Sequence, residues 1–232
     1  MTTDSKAIYV INPNSSETVT AGIDAAMEPL RAWGPRIECV TLEGTPPGIQ
    51  TQRDVDLVIG PLLSKAADLE EGAAGFIVAC FSDPGMYSLR EQSRRPVLGI
   101  AESGMLTAMT LGQRIGVISI LEASIPRHMR MFGAMGIIDR IVGDRALGMN
   151  VADLAEDTRA LAAMIATGTT LRERDSADVL VMGCAGMARF RQEVEQQVGI
   201  PVVEPTQATV GMMISRISIA AADNRNSHSP HL

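Results

Sequence analysis

Two of the three cysteines in this 232-residue chain occupy matching places in two similar halves. Cys80 ends the run Gly75-Phe76-Ile77-Val78-Ala79-Cys80, and Cys184 ends Val179-Leu180-Val181-Met182-Gly183-Cys184. They lie 104 residues apart (184 − 80). Flanking segments repeat at nearly that spacing: Pro96 with Pro201 at 105, and Tyr9-Val10-Ile11-Asn12 with Gly116-Val117-Ile118-Ser119 at 107. The repeat puts each thiol at the end of an apolar strand. Two thiols facing one cleft suit proton removal from one face of a carbon and proton delivery to the other, the chemistry of racemisation without a cofactor. A single strand-end cysteine is more often buried and inert; the duplication is what argues for chemistry.

The flanks agree. Ala185 and Gly186 are small and leave room for a ligand beside Cys184. Each cysteine precedes a turn into a helix, whose free N–H groups and positive end favour an anion and are expected to lower a thiol pKa. Cys39 lies in mid-strand outside the repeat and reads as core. Asp83 suits a cap on a helix opened by Pro84. It could instead orient a substrate N–H or act on the Cys80 thiol, although a nearby carboxylate raises a thiol pKa. Asn12, Asn14, Ser15 and Ser16 either form a turn with Asn14 or Ser15 as a helix cap, or hold a polar ligand. His128, a lone histidine on a helix, reads as a surface or packing residue.

Strand and helix patterns alternate along the chain, and the strands are continuous apolar runs. That predicts parallel sheets covered on both faces. Strands are expected near 7–11, 37–42, 75–80, 97–100, 114–120, 137–142 and 179–184, with a short one at Val202-Val203. Helices are expected near 16–32, 54–69, 84–92, 102–111, 123–135, 151–172, 188–198 and 206–222. The fold class is α/β: two pseudo-symmetric lobes, 1–112 and 113–222, each a parallel sheet flanked by helices, with the active site in the cleft between them. The final helix can cross back to the first lobe, and 223–232 reads as a disordered tail. Ligands of open α/β sheets bind outside the carboxyl ends of the strands, where Asn12, Cys80, Ser119 and Cys184 all fall.

Composition narrows the function. The net charge is −7 with no Lys/Arg block, which argues against nucleic acid. No apolar stretch reaches the roughly 18 residues of a membrane span, and the N-terminus lacks a signal-peptide pattern, so a cytoplasmic protein is expected. Three cysteines do not make a disulfide framework, and zinc-type Cys/His spacing is absent. No Gly-x-Gly-x-x-Gly or Walker-type Gly-Lys-Ser/Thr motif occurs. Neither metal nor nucleotide cofactor is expected. The fourteen methionines read as flexible core filler.

Three segments carry a resemblance: Ile11-Asn12-Pro13-Asn14-Ser15, Ala79-Cys80-Phe81-Ser82-Asp83-Pro84-Gly85 and Gly183-Cys184-Ala185-Gly186-Met187. On them the chain, over roughly residues 7 to 220, resembles the aspartate/glutamate racemase superfamily and within it the hydantoin racemase branch. The resemblance implies two pseudo-symmetric α/β lobes, a site between them, no cofactor or metal, and a homo-oligomer. It implies Cys80 and Cys184 as the acid/base pair, and backbone N–H groups near Phe81, Ser82, Ala185 and Gly186 on substrate carbonyls. Asn14 and Ser119 would add polar contacts. The branch tends to carry Asp where Ser82 stands, and Asp-Gly near Glu204-Pro205; both departures bear on the substrate.

The expected activity is racemisation of a carbon acid beside a carbonyl, a 5-substituted hydantoin or related cyclic ureide, with Asp83 a further substrate contact. Maleate-type cis–trans isomerisation or amino-acid racemisation would use the same cysteines. Arylmalonate-decarboxylase-like chemistry keeps only the second cysteine, so Cys80 argues against it. A non-catalytic two-lobed binding protein for a small molecule is the alternative of another class.

Overall fold

The computed structural model describes residues 6–149, 154 and 157–226. Strands β1 (Ala7–Asn12), β2 (Arg36–Thr41), β3 (Ala73–Val78) and β4 (Val97–Gly99) form one parallel sheet in the order β2-β1-β3-β4. Strands β5 (Ile115–Ser119), β6 (Ile141–Ala146), β7 (Val179–Met182) and β8 (Val202–Val203) repeat it as β6-β5-β7-β8. The central strands β1, β5 and β7 are buried at every position, as continuous apolar runs require when helices cover both faces.

The helices are α1 (Glu17–Ala26), α2 (Gln52–Leu57), α3 (Ile59–Leu69), α4 (Met86–Gln92), α5 (Ile100–Leu111), α6 (Ile125–Ala134), α7 (Asp157–Glu173), α8 (Arg191–Val198) and α9 (Pro205–Asn226). Several depart from the sequence expectation. The helix expected over 54–69 is two, because Pro61 has no N–H for the carbonyl of Leu57 and its ring crowds that turn. The cap of α1 is Ser16, whose Oγ accepts from the N–H of Val19, not Asn14 or Ser15. The sixth strand begins at Ile141, four residues later than expected. Gly136, at φ +70°, ends α6 in a left-handed turn and a 3-10 turn over Ile138–Arg140 intervenes. The strand runs on to Ala146, four residues past the expected end, through the polar Asp144 and Arg145. Helix α9 reaches Asn226, and the rest of the expected tail, 227–232, lies outside the described residues. So do 150–153, 155 and 156, at the start of the helix expected over 151–172.

The lobes exchange their last helices. Ala101, Met105 and Ala108 of α5 pack with Ile115, Val117, Val179 and Val181 of the second sheet. Val210, Met213 and Ile214 of α9 pack with Ile8, Val10 and Ile77 of the first. Where α5 and α9 meet, Gly104 has no room for a side chain: a Cβ there would lie 2.8 Å from Cβ of Pro205. Burying each terminal helix on the opposite sheet joins both halves in one core, and the carboxyl ends of β3 and β7 contribute to one pocket.

Candidate active site

Each cysteine stands one residue beyond the last inter-strand N–H bond of its own strand. The N–H of Ala79 donates to the carbonyl of Ile11 at 2.9 Å, and the N–H of Gly183 donates to that of Ile118 at 2.8 Å. The backbones then leave the sheets and present Cys80 and Cys184 to the same pocket. Gly183 is small of necessity, since a Cβ would come within 2.8 Å of the Ile118 carbonyl oxygen. Cys184 caps the 3-10 helix Ala185–Phe190, and its sulfur accepts from the N–H of Gly186 at 3.4 Å.

Both thiols have raised pKa values, against the sequence expectation. Burial pushes Cys80 up to about 12; the Ser82 N–H and the Arg127 charge act the other way, while the charges of Cys184 and Asp83 add to the rise. Burial pushes Cys184 up to about 11 against the N–H of Gly186. Both keep some exposure toward the pocket, but the surrounding protein removes more hydration than one backbone N–H returns. At rest near neutral pH the pair is therefore dithiol.

Asn14, Phe81, Ser82, Ala185 and Gly186 line the pocket with the cysteines. The Asn14 Oδ1 accepts from the side-chain amide of Asn12 at 3.0 Å and from the N–H of Ser16 at 2.9 Å, which leaves its NH2 without a protein partner among the described residues. Asn12 is buried behind it and also donates to Thr20 Oγ1. The Asn-Pro-Asn-Ser turn is thus both scaffold and donor.

Asp83 and Ser119 are not among the pocket-lining residues. Asp83 does not cap α4, which starts at Met86 after Gly85; Pro84 is not helical. Its carboxylate instead caps α5, accepting from the N–H groups of Ala101 at 3.0 Å and Glu102 at 2.8 Å. This pulls Asp83 into φ +42°, a left-handed conformation. The carboxylate fills the space above Gly99. In the other lobe Glu204, 105 residues beyond Gly99 (204 − 99), caps α9 directly through the N–H groups of Thr206 and Gln207. The departure at Glu204 therefore serves a helix end, and it too lies outside the pocket lining. Burial raises both carboxyl pKa values, that of Asp83 to about 7.

Ser119 belongs to a buried cluster behind the pocket. Its hydroxyl donates to Oδ1 of Asp144, and His128 Nδ1 lies 2.8 Å from Oδ2 of the same carboxylate and 3.2 Å from the Ser119 hydroxyl. The Nδ1 atom of His128 is thus committed to this cluster, while the residue also lines the pocket. The ring stands edge-on to Phe81 with centroids 5.2 Å apart. His128 is 2 % exposed, so it is not a surface residue; its ring packs against Phe81 and Phe132 and bonds the Asp144 carboxylate. Arg127, next to it on α6, also lines the pocket. Sequence reasoning missed both, along with Asp144; the one available signal was their adjacency on a helix following the strand that ends in Ser119. Cys39 is remote in role: it packs against the β1-side core, and burial lifts its pKa to about 12. Among the described residues no three His, Cys, Asp or Glu side chains group as metal ligands would.

A family model described as Asp/Glu/Hydantoin racemase matches residues 8–213. The chain belongs to that family. A hydantoin racemase of Pseudomonas sp. (strain NS671) is 32% identical over 205 residues, covering 88% of this chain and 82% of that one. The allantoin racemase structure from Klebsiella pneumoniae superposes with a TM-score of 0.83 at 28% identity, covering 93% of this chain and 89% of that one. The Pseudomonas fluorescens allantoin racemase gives 0.84 at 27% identity, with 92% of each chain covered. The protein is accordingly an isomerase of the racemase type, in the hydantoin racemase branch. Among its described residues no helix is long and apolar enough to cross a membrane.

The His128 cluster of this racemase is testable by itself. Asp144→Asn replaces an acceptor-only group with an amide that cannot accept from both Ser119 and His128 Nδ1 at full strength. Stability is expected to fall by about 1–3 kcal/mol, with a loss of activity as His128 turns. Urea unfolding measures the first and steady-state rates the second; an unchanged midpoint and rate would contradict the role assigned to Asp144.

Proposed function

We propose that the enzyme interconverts the enantiomers of a 5-substituted hydantoin or related cyclic ureide, with Cys80 and Cys184 acting on opposite faces of C5. The observation that carries this reading is the equivalence of the two thiols. Each follows the residue that makes its own strand's last inter-strand N–H bond, and both line one pocket. One ionised cysteine removes the C5 proton and the other, as thiol, protonates the opposite face; reversing the substrate's handedness swaps the roles. Charge developing on the adjacent carbonyl oxygen meets the NH2 of Asn14 and backbone N–H groups at Phe81, Ser82, Ala185 and Gly186, those of Ser82 and Gly186 being shared with the cysteine sulfurs. A high thiol pKa makes the ionised cysteine a strong base for a weakly acidic carbon, at the cost of a scarce thiolate. The Arg127 charge offsets part of that scarcity at Cys80.

A maleate-type isomerase would need cationic partners for two carboxylates; Arg127 is the one cation among the described lining residues. The test is exchange of the C5 proton for deuterium in heavy water across a panel of 5-substituted hydantoins and allantoin, read by NMR. Enzyme-dependent exchange with loss of optical rotation is expected. No exchange above the buffer-catalysed background on any member would defeat the proposal.

A further inference from the structure

The pocket between the cysteines carries one formal charge, that of Arg127, and no carboxylate among its described lining residues. This stands out in a chain whose net charge is −7. The guanidinium has no ion-pair partner among the described residues. Its Nη1 donates to the carbonyl of Ala123 at 2.8 Å and its Nη2 to the hydroxyl of Ser124 at 3.1 Å, both neutral acceptors within one helical turn. The acid whose charge it feels, Asp54, has its carboxylate turned to the N–H groups of Gln50 and Thr51. The Arg127 Nε is buried with no acceptor among the described residues. A buried N–H without a partner is costly and seldom kept in a native structure without a reason.

The bonds to Ala123 and Ser124 leave further guanidinium hydrogens without a protein acceptor among the described residues, and a guanidinium pairs strongly with a carboxylate. An acceptor-rich, anionic group answers the Arg127 charge in this pocket, whereas an alkyl or aryl substituent does not.

On the racemase reading above, on which this rests, we propose that the preferred substrate carries a carboxylate on its C5 substituent and that Arg127 binds it. Three hydantoins of matched size separate the possibilities: 5-(2-carboxyethyl), 5-(2-carbamoylethyl) and 5-isobutyl. Wild type is expected to exchange the C5 proton of the carboxylate compound with a kcat/KM about tenfold or more above the other two. In Arg127→Met that preference is expected to collapse to within about twofold, mostly through KM, and Arg127→Lys is expected to keep part of it. The ratio between substrates is the readout, so a uniform loss of rate does not mimic the effect. Two results overturn the proposal while leaving the racemase reading intact: exchange with no preference for the carboxylate, or a preference that survives in Arg127→Met. Survival with an equal loss of rate on all three substrates would assign Arg127 to the Cys80 thiolate or to the developing enolate alone. Absence of exchange with every hydantoin overturns both readings.

Discussion

Cys80→Ser and Cys184→Ser are each expected to abolish racemisation, with losses of about 10²–10⁴-fold, and to leave opposite half-reactions behind. In a two-base site each remaining thiol can still reach one face of C5. Cys80→Ser should then exchange the C5 proton of one enantiomer in heavy water without inverting it, and Cys184→Ser that of the other. Polarimetry gives the loss of inversion, and NMR of the separated enantiomers gives the surviving exchange. If one variant loses both enantiomers and the other loses neither, a single base or a nucleophile does the chemistry. Serine is nearly isosteric with cysteine, so thermal unfolding should change little. The pH profile carries a second expectation. With folded pKa values of about 12 and about 11, above the ordinary thiol value, the reactive thiolate is a minor species at neutral pH and grows as pH rises. The kcat/KM of the wild type should climb about tenfold per unit between pH 7 and 9, reporting the first ionisation of the pair rather than of either residue. A flat profile there would mean that substrate-free burial does not govern the base.

Gly99→Ala is expected to be the most damaging single methyl in the chain. The added Cβ would fall 2.2 Å from the carboxyl carbon of Asp83 and within 2.5 Å of both its oxygens. Asp83 cannot step aside cheaply: it is held in a left-handed conformation, and its N–H bonds the Cys80 carbonyl at 2.9 Å. Overpacking costs about 1–3 kcal/mol, and each N–H of α5 that loses its acceptor adds about 1–3 kcal/mol. The urea midpoint should drop with an unchanged slope. Activity should fall with it, because the turn that aims Cys80 is the turn being displaced. A midpoint within error of wild type would refute the claim that Asp83 occupies that space. The same carboxyl gives a pH signature. Its folded pKa of about 7 lies above the ordinary value of 3.8, so the native state holds the proton more tightly than the unfolded chain does. Its contribution is complete below about pH 4 and is lost as pH rises through 7. Asp83→Asn should remove that decline from the stability-versus-pH curve over this window.

Much of the architecture was legible because it is local. Continuous apolar runs at Ala7–Asn12, Ile115–Ser119 and Val179–Met182 mean strands buried on both faces, and their near-constant offset means a repeat. Residues that follow directly from a strand's end inherit its position, so Cys80, Phe81, Ser82, Cys184, Ala185 and Gly186 could be placed at the cleft without a structure. Asn14 could be placed there for the same reason. Residues whose placement depends on packing between distant elements could not. His128 and Arg127 reach the pocket through the way α6 lies against β6, and Asp144 supports His128 from the polar end of a strand, beyond the bounds its apolar residues marked. The Asp83 carboxylate was read as a cap and is one, but for α5, because Gly99 leaves a hole that only the fold brings beside it.

The amino-acid sequence by itself determined that two thiols stand at equivalent strand ends, since β-strand hydrophobicity and a 104-residue repeat are written in residue order. Only the tertiary structure decided how those thiols ionise and what surrounds them. Their pKa values follow from how much protein lies around each sulfur, a sum over many elements that reverses what the neighbouring helix ends alone suggested. The exchange of α5 and α9 between sheets is of the same kind: it depends on which apolar face finds which partner in space, and that is a property of the packed molecule.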